Sequence, residues 1–370
     1  MTQSSDVIVI GAGIAGASVA AELAADLSVT VLEMEDRPGF HSTGRSAATW
    51  IPGYGPDPVR ALTRASGDFL KNPHDDFCAT AITSPRGEML LGLPGQDADV
   101  DNYRKVGMHD ISLEDAVKRV PLLRTDAIEA VLYDGTCLDV DVDALHQAFL
   151  RRLKQRGGHV HCDSPATAIS RRAGNWHVTA KGGTFEAPVL VNASGAWGDQ
   201  VAELAGAQRV GLQPKRRSVA VIPPPPGADI DNWPVTASAG ETFYFKPQSG
   251  MLLVSPADIT PVDPHDAWAD DMAIAEAIDQ LMQYMDIEVT RVDHTWGGLR
   301  TFAPDGNPVV GFDPVLEGFF WLTGQGGYGI QTSPALSRTA AALIAGHDMP
   351  ADIAEHGVTA EPLSPARFVR

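Results

Sequence analysis

Residues Asp6 to Glu33, DVIVIGAGIAGASVAAELAADLSVTVLE, constrain this chain more than any other stretch. Val7 to Ile10 is a short apolar β-branched run, and Gly11, Gly13 and Gly16 follow in the spacing G-x-G-x-x-G. The alanine-rich segment from there to Leu27 has the length and propensity of a helix. Val29 to Leu32 is a second apolar run, closed by Glu33. Strand, tight turn, helix, strand and acid is the order of a dinucleotide-binding unit. Gly11 permits the turn, Gly13 lets the backbone approach a pyrophosphate, and Gly16 lets helix and strand pack closely. The helix N-terminus, at Ile14 and Ala15, offers N–H groups and a positive dipole end to phosphates. An acid about 20 residues past the glycines accepts hydrogen bonds from a ribose. Glu33 therefore favours a free 2′-hydroxyl, hence FAD or NAD over NADP.

The same stretch is apolar enough to suggest a signal peptide or a membrane helix. Against that, MTQSSD precedes it without Lys or Arg, and Glu22 and Asp26 interrupt the helix. No transmembrane segment is expected. The 370 residues allow a large core and two domains. A formal net charge of -19 argues against nucleic acid and anionic membrane surfaces as partners. Cys78, Cys137 and Cys162 are odd in number and lack metal or redox spacing, which suits a reducing, cytoplasmic location. His159 and His161 share a strand face without a further ligand motif, so no metal site is expected.

Beyond Glu33, Arg37-Pro38-Gly39 reads as a turn. Ser42, Thr43, Gly44, Arg45, Ser46 and Ala47 then form a small, hydroxylic loop able to wrap a diphosphate. Helices are expected at Pro58 to Leu70, Leu113 to Val120, Asp143 to Arg156 and Asp270 to Met285, and strands at Met89 to Leu91, His159 to Cys162, Trp176 to Ala180 and Val189 to Asn192. Phe243 to Phe245 and Met251 to Val254, joined by KPQSG, read as a hairpin, and Pro223 to Pro226 as an exposed connector. Near the C-terminus, GQGGYGIQTSP predicts a helix capped at Thr332 or Ser333, with Pro334 in its first turn and Gly346 as its stop. That second helix N-terminus offers another positive dipole end to a bound cofactor.

GAGIAG, Glu33, HSTGRSAA, PKRRS (Pro214 to Ser218), TFYFKP (Thr242 to Pro247), HTWGGLR (His294 to Arg300) and QGGYGIQTS (Gln325 to Ser333) together resemble the D-amino-acid oxidase superfamily of FAD flavoproteins, and within it the bacterial FAD-dependent D-arginine dehydrogenases. The motifs run nearly end to end and in the family's order. The resemblance implies an α/β fold: a Rossmann-type FAD-binding domain (1–85, 140–210 and 300–370) with an interleaved α+β substrate domain (86–139 and 211–299) containing a mixed or antiparallel sheet. It implies non-covalent FAD, although His41 lies near enough to raise the question of attachment. To the cofactor residues already named it adds Ala166, Gly195, Trp197, Gly298, Arg300, Gly326, Gly327, Tyr328, Gly329, Ile330, Gln331 and Thr332.

The implied reaction is oxidative deamination of basic D-amino acids such as D-arginine and D-lysine to 2-oxo acids and ammonia. Electrons would pass to an unidentified acceptor, a quinone or other carrier. Arg217 and Arg300 match the family's carboxylate-binding arginines, since a planar guanidinium grips a carboxylate bidentately. Tyr54 and Tyr244 match substrate-covering tyrosines, Glu88 the acid that meets a cationic side chain, and Gly327 and Gln331 complete the site. Arg216, beside Arg217, reads as a solvated surface residue. Thr49 and Ile51 depart from the histidine and threonine of the D-arginine enzymes and make the pocket more apolar. Competing readings are an oxidase of N-methyl or cyclic secondary amino acids, a flavin 2-hydroxy-acid dehydrogenase, and a cofactor-binding regulatory protein without turnover.

Overall fold

The computed structural model describes residues 2–368. Val7–Ile10 and Val29–Leu32 are buried along their whole length. Strands covered on both faces read as continuous apolar runs and belong to parallel sheets. They lie in a six-stranded sheet in the order His159–His161, Val29–Leu32, Val7–Ile10, Val189–Asn192, Phe319–Thr323, Val309–Phe312. Every pairing is parallel except the last. Helices Ile14–Leu23, Val142–Gln155 and Gly329–Ile344 pack together over one face, around Val9, Val31, Phe149 and Phe320. A four-stranded sheet of Thr2–Ser4, Gly183–Ala187, Asn175–Ala180 and Ala168–Arg172 supplies Trp176 and Phe185 to the core on the other face.

The second large element is a ten-stranded mixed sheet. Its centre runs His294–Phe302, Gln213–Ile222, Met251–Ser255, Tyr244–Gln248, Val235–Ser238, Glu88–Gly92, Ala130–Asp134. Only Val235–Ser238 and Glu88–Gly92 pair in parallel. Helix Asp271–Tyr284, capped by Asp270 on the N–H groups of Met272 and Ala273, covers one face through Ala277 and Leu281. The α/β class with a mixed second sheet is as expected. The strands do not follow the expected division everywhere: His294–Phe302 crosses residue 300, and Gln325–Gly326 joins the large sheet as its edge.

Several local expectations are corrected. The first helix stops at Leu23, not Leu27, because Ala24 to Asp26 form a turn before the next strand. The hairpin is longer and its turn tighter: strands Tyr244–Gln248 and Met251–Ser255 leave only Ser249 and Gly250, at φ 53° and 75°. Such a primed two-residue turn matches strand twist, so Lys246 and Pro247 belong to the strand. Pro223 to Pro225 are half-buried rather than exposed. The C-terminal helix begins at Gly329, a turn before the expected cap. Pro334 is therefore interior, where its missing N–H would orphan the Ile330 carbonyl. The Ser333 hydroxyl donates to that carbonyl at 3.0 Å, and the Ala335 N–H is taken by Ser66 at 3.1 Å. Thr332 likewise bonds backward, to the Tyr328 carbonyl, and does not cap.

Candidate active site

One cavity extends from the glycine loop on the six-stranded sheet to the middle of the ten-stranded sheet. At the first end its wall is mostly backbone. Gly11 sits at φ +98°, and a Cβ there would lie 2.6 Å from the Ala193 carbonyl oxygen of the neighbouring strand's loop. Gly16 packs against the Gly11 carbonyl and lies behind the wall rather than in it; Gly44 does the same against Gly39. Gly13, Ile14 and Ala15 line the cavity. Glu33 is buried and its two oxygens accept from the Ala12 N–H (2.7 Å) and the Glu35 N–H (3.0 Å), so the acid also clamps the loop. Thr43 Oγ1 accepts from the Ile14 N–H at 2.9 Å.

The Ser42–Ala47 loop bridges the two sheets. Ser42 donates to the Leu299 carbonyl at 2.7 Å, and Trp296 Nε1 to the Arg45 carbonyl at 3.0 Å. Arg45 lines the cavity, but its guanidinium is engaged by Asp266 and by the Ala267 and Gly297 carbonyls. Ser46, Ala47, Ala166, Gly195, Trp197 and Gly298 line the cavity as well. His41 does too, with Nε2 2.8 Å from Glu35 and its ring against Trp197. Gly326, Gly327, Gly329, Ile330 and Gln331 bring in the second helix N-terminus. Tyr328 and Thr332 lie behind this wall; Tyr328 packs edge-on against Tyr54. A glycine cradle, a buried acid and two helix N-termini on one cavity fit a dinucleotide such as FAD.

The other end is made of side chains. Arg217 and Arg300 leave paired strands, Gln213–Ile222 and His294–Phe302, and both line the cavity. Arg300 Nη2 donates to the Tyr54 hydroxyl at 2.9 Å, and its guanidinium lies where a Cβ on Gly327 would be. Arg217 Nε donates to the Asp258 carbonyl at 3.1 Å, and its guanidinium stands 5.8 Å from the Tyr244 ring centre. Arg217 Nη2 is buried and has no hydrogen-bond partner among the described residues. A buried donor without a partner costs about 1–3 kcal/mol.

Glu88, first residue of its strand, is buried in the same wall. Burial, then Asp134 directly opposite it and Glu241, push its carboxyl up to about 8. Among the described residues its one polar contact is the Cys137 thiol, 3.9 Å away. Burial, then Glu88, hold that thiol protonated.

Two expected assignments change on the structure. Gln331 is spent on positioning: Oε1 accepts from the Ile51 N–H (3.1 Å) and Nε2 donates to Thr63 (3.0 Å), fixing the Ile51 loop against the C-terminal helix. Arg216 is not solvated. It points to the opposite side of the strand from Arg217, as strand alternation requires, and pairs with Asp258 and Asp270. Sequence reasoning also missed Lys246 and His146. Lys246 lines the cavity nearly fully buried, bonding the Ala47 carbonyl at 3.0 Å and Asp139, which Arg86 also holds at 2.6 Å. A lysine inside the aromatic run Phe243 to Pro247 was the available signal. His146 donates through Nε2 to the Ala12 carbonyl at 2.9 Å, and burial holds its pKa below the usual range.

No helix among the described residues is long and apolar enough to cross a membrane. The family model described as FAD dependent oxidoreductase matches residues 6–343. Glycine oxidase of Bacillus licheniformis is 26% identical over 367 residues, covering 94% of this chain and 95% of that protein. Among solved structures, glycine oxidase from Geobacillus kaustophilus superposes with a TM-score of 0.84 at 20% identity, over 100% of both chains. L-proline dehydrogenase from P. horikoshii superposes with a TM-score of 0.83 at 21% identity, over 100% of this chain and 98% of that one.

Proposed function

The chain belongs to the FAD dependent oxidoreductase family, and from that premise we propose that it oxidises free α-amino acids, with D-configured, cationic ones such as D-arginine and D-lysine preferred. The products are a 2-oxo acid and ammonia after the imine hydrolyses. The observation that carries this reading is that Arg217 and Arg300 line one cavity from paired strands. Two guanidiniums converging on one cavity suit a carboxylate. FAD, when bound, would supply the two-electron oxidising power for the substrate carbon.

In this reading Gly11, Gly13, Glu33, the 42–47 loop and the 326–331 turn hold the cofactor, and 1–85, 140–210 and 300–370 are its domain. Arg217 and Arg300 fix the carboxylate, Tyr54 and Tyr244 cover it, and the walls orient the carbon to be oxidised. Glu88 takes the cationic end. A buried carboxyl facing Asp134 and Glu241 without a cation beside it keeps its proton, and a guanidinium or ammonium would replace that proton with a charge pair. The reading keeps a cytoplasmic enzyme that passes electrons to a quinone or other carrier.

A second reading, oxidation of small or cyclic secondary amino acids, draws on Thr49 and Ile51 at the cavity wall and on relatives named for glycine and L-proline. A 2-hydroxy acid would have no use for Glu88. Anaerobic mixing with D-arginine, D-lysine, D-leucine, glycine, sarcosine and L-proline separates these, with flavin bleaching as readout. Fastest bleaching by D-arginine or D-lysine is expected. Fastest bleaching by glycine, sarcosine or L-proline would overturn the preference and leave the family reaction in place.

A further inference from the structure

Arg217 leaves the strand Gln213–Ile222 where that strand lacks a neighbour on one side. Met251–Ser255 pairs with it at Ala220 to Ile222, and Thr260–Pro261 at Lys215 and Arg216. Neither ladder reaches Arg217 and Ser218. The gap is filled by the side chain of Asp258, from the loop between those two partner strands. Its Oδ1 accepts from the Ser218 N–H at 2.5 Å and its Oδ2 from the Ser218 hydroxyl at 2.9 Å. Arg216 Nε reaches Oδ2 at 3.4 Å, and Nη2 of the same arginine donates to Asp270 at 2.6 Å. Asp270 in turn donates its N–H to the Ser218 hydroxyl and caps the Asp271–Tyr284 helix.

The consequence appears on the cavity side. With its carboxylate pinned, Asp258 presents its own carbonyl to Arg217 Nε at 3.1 Å. The preceding residue, Ala257, adopts φ 53°, a left-handed conformation unusual for alanine, and lines the cavity. Ser255 helps to hold that bend, accepting from the Ala257 N–H and donating to the Ser218 carbonyl. The guanidinium is thereby fixed to backbone through Nε.

We propose that Asp258 is the positioning residue that aims Arg217, its carboxylate standing in for a missing strand so that its carbonyl fixes the guanidinium in the cavity wall. The proposal rests on the reading in which Arg217 binds the substrate carboxylate. The adjacent arginines then divide the work: Arg217 meets the ligand, and Arg216 neutralises the acids that hold Arg217 in place.

The test is a double-mutant cycle on the FAD-loaded enzyme with Asp258→Ala and Arg217→Met, using the fastest amino acid of the panel. Asp258→Ala is expected to raise KM roughly tenfold, with kcat changed much less and FAD content unchanged. In the Arg217→Met background the same change is expected to add little, because coupled residues are not additive. Equal losses in both backgrounds, or an unchanged KM in folded Asp258→Ala, would overturn the proposal. If Arg217→Met alone leaves KM unchanged, the carboxylate reading fails instead, which keeps the two failures apart. Should Asp258→Ala not fold, Asp258→Asn serves in the same cycle. It keeps an acceptor for the Ser218 N–H while setting an amide against Arg216, and a smaller rise in KM that vanishes in the Arg217→Met background is expected. Additive effects there count against the proposal in the same way.

Discussion

The two ends of the cavity are built by opposite means. The glycine-loop end is backbone: Gly11, Gly13 and Ile14 come from one continuous turn, and the few side chains there, Glu33 and Thr43, are already bonded to the loop's own N–H groups. The far end is side chains from strands remote in sequence, and its charges are less satisfied. Arg217 keeps a free donor and Glu88 a buried carboxyl with no cation. A site made of backbone is rigid and general, suited to a cofactor shared by many enzymes. A site made of unsatisfied side chains is selective, because each unmet charge specifies a complementary group.

Breaking the backbone end should have the largest effect. Gly11→Ala places a Cβ against the Ala193 carbonyl at a φ that costs about 1–3 kcal/mol for alanine. Purified protein should lose its bound FAD, seen as missing visible flavin absorbance and no FAD in the denatured supernatant. Retention of full FAD content would show that the loop tolerates more than its geometry allows.

Removing a side chain at the far end should spare the cofactor and strike the substrate. Arg300→Met should weaken amino-acid affinity about ten- to a hundredfold, the worth of a charge-assisted pair, with FAD content constant. Parallel loss of FAD would merge the two ends into one site.

A subtler change sharpens the contrast through pH. The Glu88 carboxyl sits near 8 in the folded chain and near 4.5 when unfolded. Between those values the folded state holds the extra proton, so this group's contribution to stability falls as pH rises. Substrate-free Glu88→Gln should therefore gain melting temperature relative to wild type between pH 5 and about 8. Affinity for a cationic amino acid should rise over the same interval in wild type and stay flat in the variant. Glu88→Leu should lower efficiency on D-arginine about tenfold and spare D-leucine. Equal slowing of both would remove Glu88 as selector.

The smallest effect is expected at the joint between the ends. Gln331→Leu leaves the Ile51 N–H and the Thr63 hydroxyl without their partner. A drop of a few degrees in melting temperature and a few-fold loss of activity should follow. An unchanged thermal transition would mean that the Ile51 loop holds itself.

Much of the backbone end was legible in sequence, because its requirements are local. The turn, the helix start and the closing acid fall within 28 consecutive residues, from Asp6 to Glu33. The far end was legible only as likeness. PKRRS and HTWGGLR drew attention to Arg217 and Arg300, but not to which of two adjacent arginines faces the cavity for a physical reason. That depends on strand alternation once the register is set, and on Asp258 filling a gap between two ladders. Lys246 and Gln331 were opaque for the same reason, since each bonds a backbone group far away in the chain.

By itself, then, the sequence determined the dinucleotide unit and the α/β class, because glycine spacing and apolar periodicity act over distances a single segment spans. Only the tertiary structure decided which charges are met and which are left over. Whether Arg217 has a spare donor, whether Glu88 keeps its proton and whether Pro334 sits inside a helix depend on neighbours delivered by other strands and helices. Desolvation and hydrogen-bond satisfaction are properties of the packed whole, and no stretch of sequence carries them alone.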